Sequence, residues 1–172
     1  MGGALAAGAS SGSAASPAND LRILNFALKL EELEAGFYAA AIDRGALRGE
    51  VREFAEVVVV HEREHVALLR KVLGAKAAAR PTMRFGAAVT NPKKFVAAAT
   101  ALEDAVVAAY NGQAANVSPA VLAAAARIVS VEARHAAWIR AIAGKLPAVD
   151  PTDPILSAKQ VEAAVNKLGF LR

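Results

Sequence analysis

Cysteine is missing from all 172 residues, which excludes disulfides, iron–sulfur clusters and thiolate zinc sites and leaves the redox compartment undetermined. Aromatic residues make up only 5% and alanine about a quarter of the chain, a composition that favours helix over sheet. Neither sign of charge dominates: 20 Lys and Arg against 16 Asp and Glu give a formal +4. The basic residues are dispersed along the chain and form no arm, so a solvated surface is expected and a nucleic-acid partner is not. Long apolar runs are lacking too. Every helical apolar stretch meets a charge within about 18 residues, so no membrane-spanning segment is expected. What remains is one all-α domain with a core of useful size.

Glycine and proline gather in a few places and divide the chain. Residues 1–19, MGGALAAGASSGSAASPAN, hold one large apolar side chain, Leu5, and are expected to be a disordered lead. Their small-residue texture is compatible with the tail of an export signal or with a plain linker, so an exported or periplasmic location and a cytoplasmic one both stay open. Asp20 is the expected N-cap of a first helix reaching about Asp43, followed by a turn between Gly45 and Gly49. A second helix runs from about Glu50 to Leu73 and stops at Gly74. A long connection with Pro81 and Gly86 then leads to Asn91-Pro92, a capping residue and a first-turn proline that open a third helix to about Asn111. After a turn over Gly112–Pro119, Ser118-Pro119 opens a fourth helix ending near Gly144. The bundle is thus expected over residues 20–146. Residues 147–172 form a Pro-rich linker and a short capping helix, with Ile155, Val161, Val165 and Leu168 as its apolar side.

Inside this frame one pattern occurs twice. Glu31 stands seven residues before Tyr38, and Glu62-x-x-His65 follows; Glu103 stands seven before Tyr110, and Glu132-x-x-His135 follows. Glu and His three apart lie on one helix face and can offer an oxygen and a nitrogen to the same ion. Four carboxylates and two imidazoles in this order are the ligand set of a bundle-bound di-iron or di-manganese centre. Hard oxygens with neutral imidazole suit those metals, and four carboxylates neutralise two divalent ions.

The turns provide a check. Antiparallel helices joined by a short turn bring together residues equally far from it, since each climbs about 1.5 Å per residue. Glu31 and Glu62 are equidistant from the first turn, and Glu103 and Glu132 from the second, each about 15 residues or roughly 22 Å away. The connection from Gly74 to Thr90 is long enough to return along the bundle. Helices two and three then run parallel, and two antiparallel helix hairpins joined by a long crossover face each other about a pseudo-two-fold axis.

Plainer readings compete. Glu is common on helices, and a lone Glu-x-x-His arises by chance; the second copy with matching offsets argues against that. His61-Glu62-Arg63-Glu64-His65 also fits the zinc-protease pattern His-Glu-x-x-His, which would make His61 and His65 ligands and Glu62 the base. That reading leaves the second Glu-x-x-His unexplained, so His61 is placed beside the site, where it can tune it. Glu34, about one turn beyond Glu31, competes with it, and the second copy decides for Glu31. Tyr38 and Tyr110 either hydrogen-bond carboxylates of the opposite hairpin or pack in the core. Val58, Val59, His65, Leu69 and Val72 make the inner side of helix two; Ile128, Val131, His135, Trp138 and Ile142 that of helix four. Trp138 is expected in the core, and Glu32, Glu64 and Asp104 at the surface.

At these residues the chain resembles the ferritin-like superfamily, whose bacterioferritin and rubrerythrin branches carry Glu, Glu-x-x-His, Glu, Glu-x-x-His over four helices. LNFALKLEELEAGFY, HEREHVALLRKVLG, ALEDAVVAAYNGQ and SVEARHAAWIRAIAG resemble the ferritin-like domain family that includes bacterial proteins of unknown role and plant desiccation-related proteins. The resemblance implies a ferritin-like four-helix bundle plus a short C-terminal helix. It implies Glu31 and Glu103 as terminal ligands, Glu62 and Glu132 as bridging ligands, and His65 and His135 as one nitrogen ligand for each of two iron ions. The implied chemistry is oxidation of ferrous iron by dioxygen or peroxide, in iron handling or in oxidative or desiccation stress protection. A manganese catalase-like or oxygenase enzyme on the same ligands stays open, as does a non-catalytic binding protein with an empty or zinc-filled site. No cage-assembly surface is legible, and a homo-oligomer is compatible with the chain.

Overall fold

The computed structural model describes residues 15–171; the expected disorder of residues 1–14 lies outside them. Among these residues five α-helices follow in order: α1 Pro17–Arg44, α2 Gly49–Leu73, α3 Pro92–Gln113, α4 Pro119–Ile142 and α5 Ala158–Leu168. The first four form the expected bundle, with α1 packed on α2, α3 on α4, and the two hairpins joined by α1–α3 and α2–α4 contacts. Helix α5 packs against α3. Among the described residues no helix is long and apolar enough to cross a membrane.

Helix α1 begins earlier than the Asp20 cap implies. Ser16 caps it, accepting from the Asn19 backbone N–H at 3.2 Å, with Pro17 in the first turn. Asp20 serves the other hairpin, its Oδ1 accepting from Ser118 N at 2.8 Å. Asn19 Nδ2 donates to Asn116 O at 2.6 Å. The start of α1 is thereby tied to the α3–α4 turn, which fixes the height of one hairpin against the other. Gly45, with φ 65°, closes α1 in the left-handed conformation, and Asn91 caps α3 by accepting from Lys94 N at 3.0 Å.

The C-terminal segment departs from the expected apolar side. Ile155 is 74% exposed, whereas Val161 and Val165 are buried. The reason is register. Leu156 N donates to Ala108 O at 3.1 Å and Leu156 packs on the core, so in an extended strap its predecessor faces the other way. The strap also explains Gly112. Helix α3 runs through it, so it is no turn residue; a Cβ there would stand 1.9 Å from the Leu156 carbonyl oxygen. Ser157 and Gln160 then cap α5 reciprocally. Beyond α5, Arg84 N donates to Phe170 O at 2.8 Å, which pins the chain end to the crossover.

The few aromatics are concentrated. Phe37 stacks on Phe95 at 5.1 Å and on Phe170 at 5.5 Å, and Tyr38 meets Phe54 and Phe95 edge-on. Val72, expected on the inner side of α2, is 52% exposed; Leu69 and Leu73 carry the buried stripe there.

Gly112→Ala is expected to destabilise the protein by about 1–3 kcal/mol, because the added methyl meets backbone and the strap must shift. Thermal unfolding followed by circular dichroism should show Tm falling by several degrees; an unchanged Tm would mean that the strap does not cross α3 there.

Candidate metal centre

Each helix of the bundle brings its part of the repeated pattern to one level. Glu31 on α1, Glu62 and His65 on α2, Glu103 on α3, and Glu132 and His135 on α4 are all buried, the four glutamates completely. Their donor atoms form two overlapping groups: Glu31, Glu62, His65 and Glu132, and Glu62, Glu103, Glu132 and His135. Within each group one atom per residue lies within 4.8 Å of all the others. Glu62 and Glu132 belong to both.

Both imidazoles turn Nδ1 inward. His65 Nδ1 stands 3.2 Å from Glu31 Oε2, 3.3 Å from Glu62 Oε2 and 2.8 Å from Glu132 Oε1. His135 Nδ1 stands 3.1 Å from Glu62 Oε1, 3.5 Å from Glu103 Oε2 and 3.4 Å from Glu132 Oε2. Donors that share a first-row metal at about 2.1 Å are separated by about 3 Å. Glu62 Oε1, Glu103 Oε2, both Glu132 oxygens and His135 Nδ1 are sealed from solvent with no hydrogen-bond partner among the described residues. Close in distance but unbonded, these atoms converge as a donor set does around a cation, and their chemistry fits two such ions.

The tyrosines cross between hairpins. Tyr38 on α1 donates to Glu103 on α3, and Tyr110 on α3 donates to Glu31 on α1 at 2.6 Å. Each hydroxyl thus orients one carboxylate of the opposite hairpin. Of the two readings left open by the sequence, the structure shows hydrogen bonding, and Tyr38 is fully buried among aromatics as well.

His61 is not paired with His65 as a protease zinc ligand would be. Its Nδ1 lies 2.9 Å from His135 Nε2, the nitrogen facing away from the carboxylates, and the rings are stacked. Glu62 stands among the other acids of the centre, at the level of both histidines. The protease arrangement is therefore absent.

Of the other acids, one differs from expectation. Glu32, expected at the surface, is buried because Arg70 Nε donates to its Oε1 at 2.8 Å and Arg80 Nε lies 3.1 Å from its Oε2. Asp104 is half-exposed and pairs with Arg140 at 2.6 Å. Glu34 is fully buried, and both its oxygens lack a hydrogen-bond partner among the described residues. A signal for Glu34 was available: three residues after Glu31 and four before Tyr38, it shares their helix face. Glu64 is exposed as expected.

The centre has two kinds of surroundings. On the histidine side a depression of about 380 Å³, lined by His61, His65, Arg134, His135 and Trp138 among others, opens to solvent. Trp138 stands half-buried at its rim, edge-on to Phe54, with Nε1 donating to Glu50 at 3.1 Å. On the other side Tyr110 borders a narrow cavity of about 40 Å³ walled by apolar residues such as Leu30, Leu69, Ala124 and Ile128.

Protonation follows from the crowding. Burial lowers the affinity of both imidazoles for a proton, but the facing carboxylates outweigh it: Glu132, Glu31 and Glu62 carry His65 to about 12, and Glu103, Glu132 and Glu62 carry His135 to about 12. Burial and the Glu132 charge push Glu31 well above the usual carboxylate range. Burial raises Glu103 to about 8 against the pull of His135. Burial also acts upward on Glu62, but the facing imidazoles of His135 and His65 prevail and hold it at about 2. Glu34 is raised by burial first and then by Glu103. Tyr38 and Tyr110 are raised by burial and by the carboxylates they bond. His61 is lowered by burial and by His135.

The carboxylates that face His65 and His135 thus draw both imidazoles toward the protonated form. A metal needs the neutral imidazoles, so binding must expel those protons and affinity must rise with pH. Calorimetry of metal binding at pH 7 in two buffers of different ionisation enthalpy should show release of at least two protons per chain. Binding with no proton release would contradict the protonation described.

A family model described as the ferritin-like domain matches residues 19–145, which span α1 to the end of α4. A search of curated proteins finds no match.

Proposed function

The chain belongs to the ferritin-like domain family, and on that footing we propose that it is a di-iron carboxylate protein that oxidises ferrous iron with dioxygen or peroxide. The observation that carries this reading is the pair of overlapping donor groups that share Glu62 and Glu132. Two acids common to both groups would let two ions sit side by side, and four buried carboxylates facing only two imidazoles leave negative charge for such ions to offset.

Glu31, Glu62, His65 and Glu132 would hold one ion and Glu103, His135, Glu62 and Glu132 the other. Bound together, two ferrous ions supply two electrons, enough with two protons to reduce dioxygen to hydrogen peroxide or hydrogen peroxide to two waters. The residues around them do the rest. Tyr110 and Tyr38 fix the rotation of Glu31 and Glu103 through their hydroxyls. His61 meets the outer nitrogen of His135 and so keeps its Nδ1 aimed inward. The wall of Phe37, Phe54 and Phe95 beside Tyr38 keeps water from that end. The solvent-facing depression at His61 and His65 is the side from which hydrated ferrous ions arrive.

The test is metal content and turnover together. Protein purified without chelator should carry iron and oxidise added ferrous ions, consuming dioxygen or peroxide. Glu62→Ala with Glu132→Ala should remove both ions and lower the oxidation rate by at least about 100-fold, since two shared ligands are lost. Unchanged metal content and rate in that double variant would sink the proposal. Manganese as purified, with peroxide disproportionation, would replace it by a catalase-like reading. Zinc without redox turnover would replace it by a binding role.

A further inference from the structure

The two hairpins repeat each other around the centre: Glu31 with Glu103, Tyr38 with Tyr110, Glu62 with Glu132 and His65 with His135. Aligned on these pairs, the repeat breaks at two positions beside the ligands. Three residues after Glu31 stands Glu34, whereas three after Glu103 stands Val106. One residue before Glu62 stands His61, whereas one before Glu132 stands Val131.

Glu34 and Val106 are both fully buried, so this is a core position in each hairpin. Valine fills it in one, and a carboxylate in the other needs a reason. Packing does not supply one, and neither does a cation among the described residues: both Glu34 oxygens are sealed from solvent with no hydrogen-bond partner there. Its neighbour Glu32 shows the contrast, with Arg70 and Arg80 on its carboxylate.

Helix geometry gives the direction. Glu34 lies between Glu31 and Tyr38 on one stripe of α1, about one turn from each. The Tyr38 hydroxyl donates to Glu103, so the stripe passes from Glu31 toward Glu103. Among the neighbouring charges Glu103 acts most strongly on Glu34. The second break falls on the same half, since His61 lies against His135, and His135 and Glu103 share one donor group.

We propose that Glu34 is a fifth carboxylate ligand, serving the ion held by Glu103 and His135 and not the ion held by Glu31 and His65, so that the two metal positions are unequal. The proposal rests on the di-metal reading above and adds to it an order of filling. The half with the extra hard oxygen binds tightly and keeps its ion. The half without it binds weakly and exchanges its ion, which suits a centre whose substrate is itself a metal ion.

The experiment is an equilibrium titration of the chelator-treated full chain with Mn(II), which is stable in air and visible by electron paramagnetic resonance. Wild type should bind two ions in two steps whose Kd values differ by at least about tenfold. Glu34→Val, which installs the residue that the repeat carries at Val106, should weaken the tight step by about 10- to 100-fold and leave the weak step unchanged. Glu34→Gln, which keeps the shape, should do the same and covers the case in which the valine variant fails to fold. Thermal unfolding of the metal-free Glu34→Val protein should show a Tm no lower than wild type, because an unpaired buried carboxylate has been removed. Adding Val106→Glu to Glu34→Val should restore a tight step that His65→Ala, and not His135→Ala, then abolishes. Two steps unchanged in both Glu34 variants, or two ions of equal affinity in wild type, would overturn the role of Glu34 alone. Fewer than two ions in wild type would overturn the di-metal reading and this proposal with it.

Discussion

Four glutamates at one depth of an alanine-rich bundle must find positive charge, and much of the structure answers to that demand. An isolated carboxylate in such a place costs several kcal/mol or stays protonated. Here Glu31, Glu62, Glu103 and Glu132 are all fully buried, with two inward-facing imidazoles as the titratable cations of the group. Protons on His65, His135 and the raised acids are one solution, and metal ions are the other. Both would use the same atoms.

The scaffold serves this by fixing heights. A slip of one residue moves a helix by about 1.5 Å along its axis, enough to part the Tyr110–Glu31 and Tyr38–Glu103 pairs. Asn19 and Asp20 pin the start of α1 to the α3–α4 turn. At the other end Trp138 ties α4 to Glu50 on α2. Small alanines let the helices approach, while the clustered phenylalanines and the strap through Leu156 fill what the alanines leave. The site is thus held by contacts distributed over both ends of the bundle, and the two tyrosines tie its hairpins together at the level of the acids.

Much of this was legible in the sequence because it depends on local periods and on turns. Gly45, Gly74, Asn91 and Ser157 mark ends that the helices respect, and equal distances from two turns place the six candidate ligands at one level. What was hidden depends on partners far away in the chain. Glu32 looks like a surface residue until Arg80 from the crossover covers it. Ser16 sits in a small-residue lead, and only the tie to the α3–α4 turn makes a helix start there worthwhile. Ile155 and Leu156 are equally apolar, and a single backbone bond to Ala108 decides which one turns inward. Glu34 lies between the two cases: its face was readable, but its lack of a hydrogen-bond partner among the described residues is a property of the assembled core.

The central claim is that the buried acids and imidazoles are a two-ion site. Anomalous scattering from a crystal of the full chain grown with Mn(II) tests it most directly. The account predicts two peaks, one among Glu31, Glu62, His65 and Glu132 and one among Glu62, Glu103, Glu132 and His135. A single peak, or none at these residues, would contradict it.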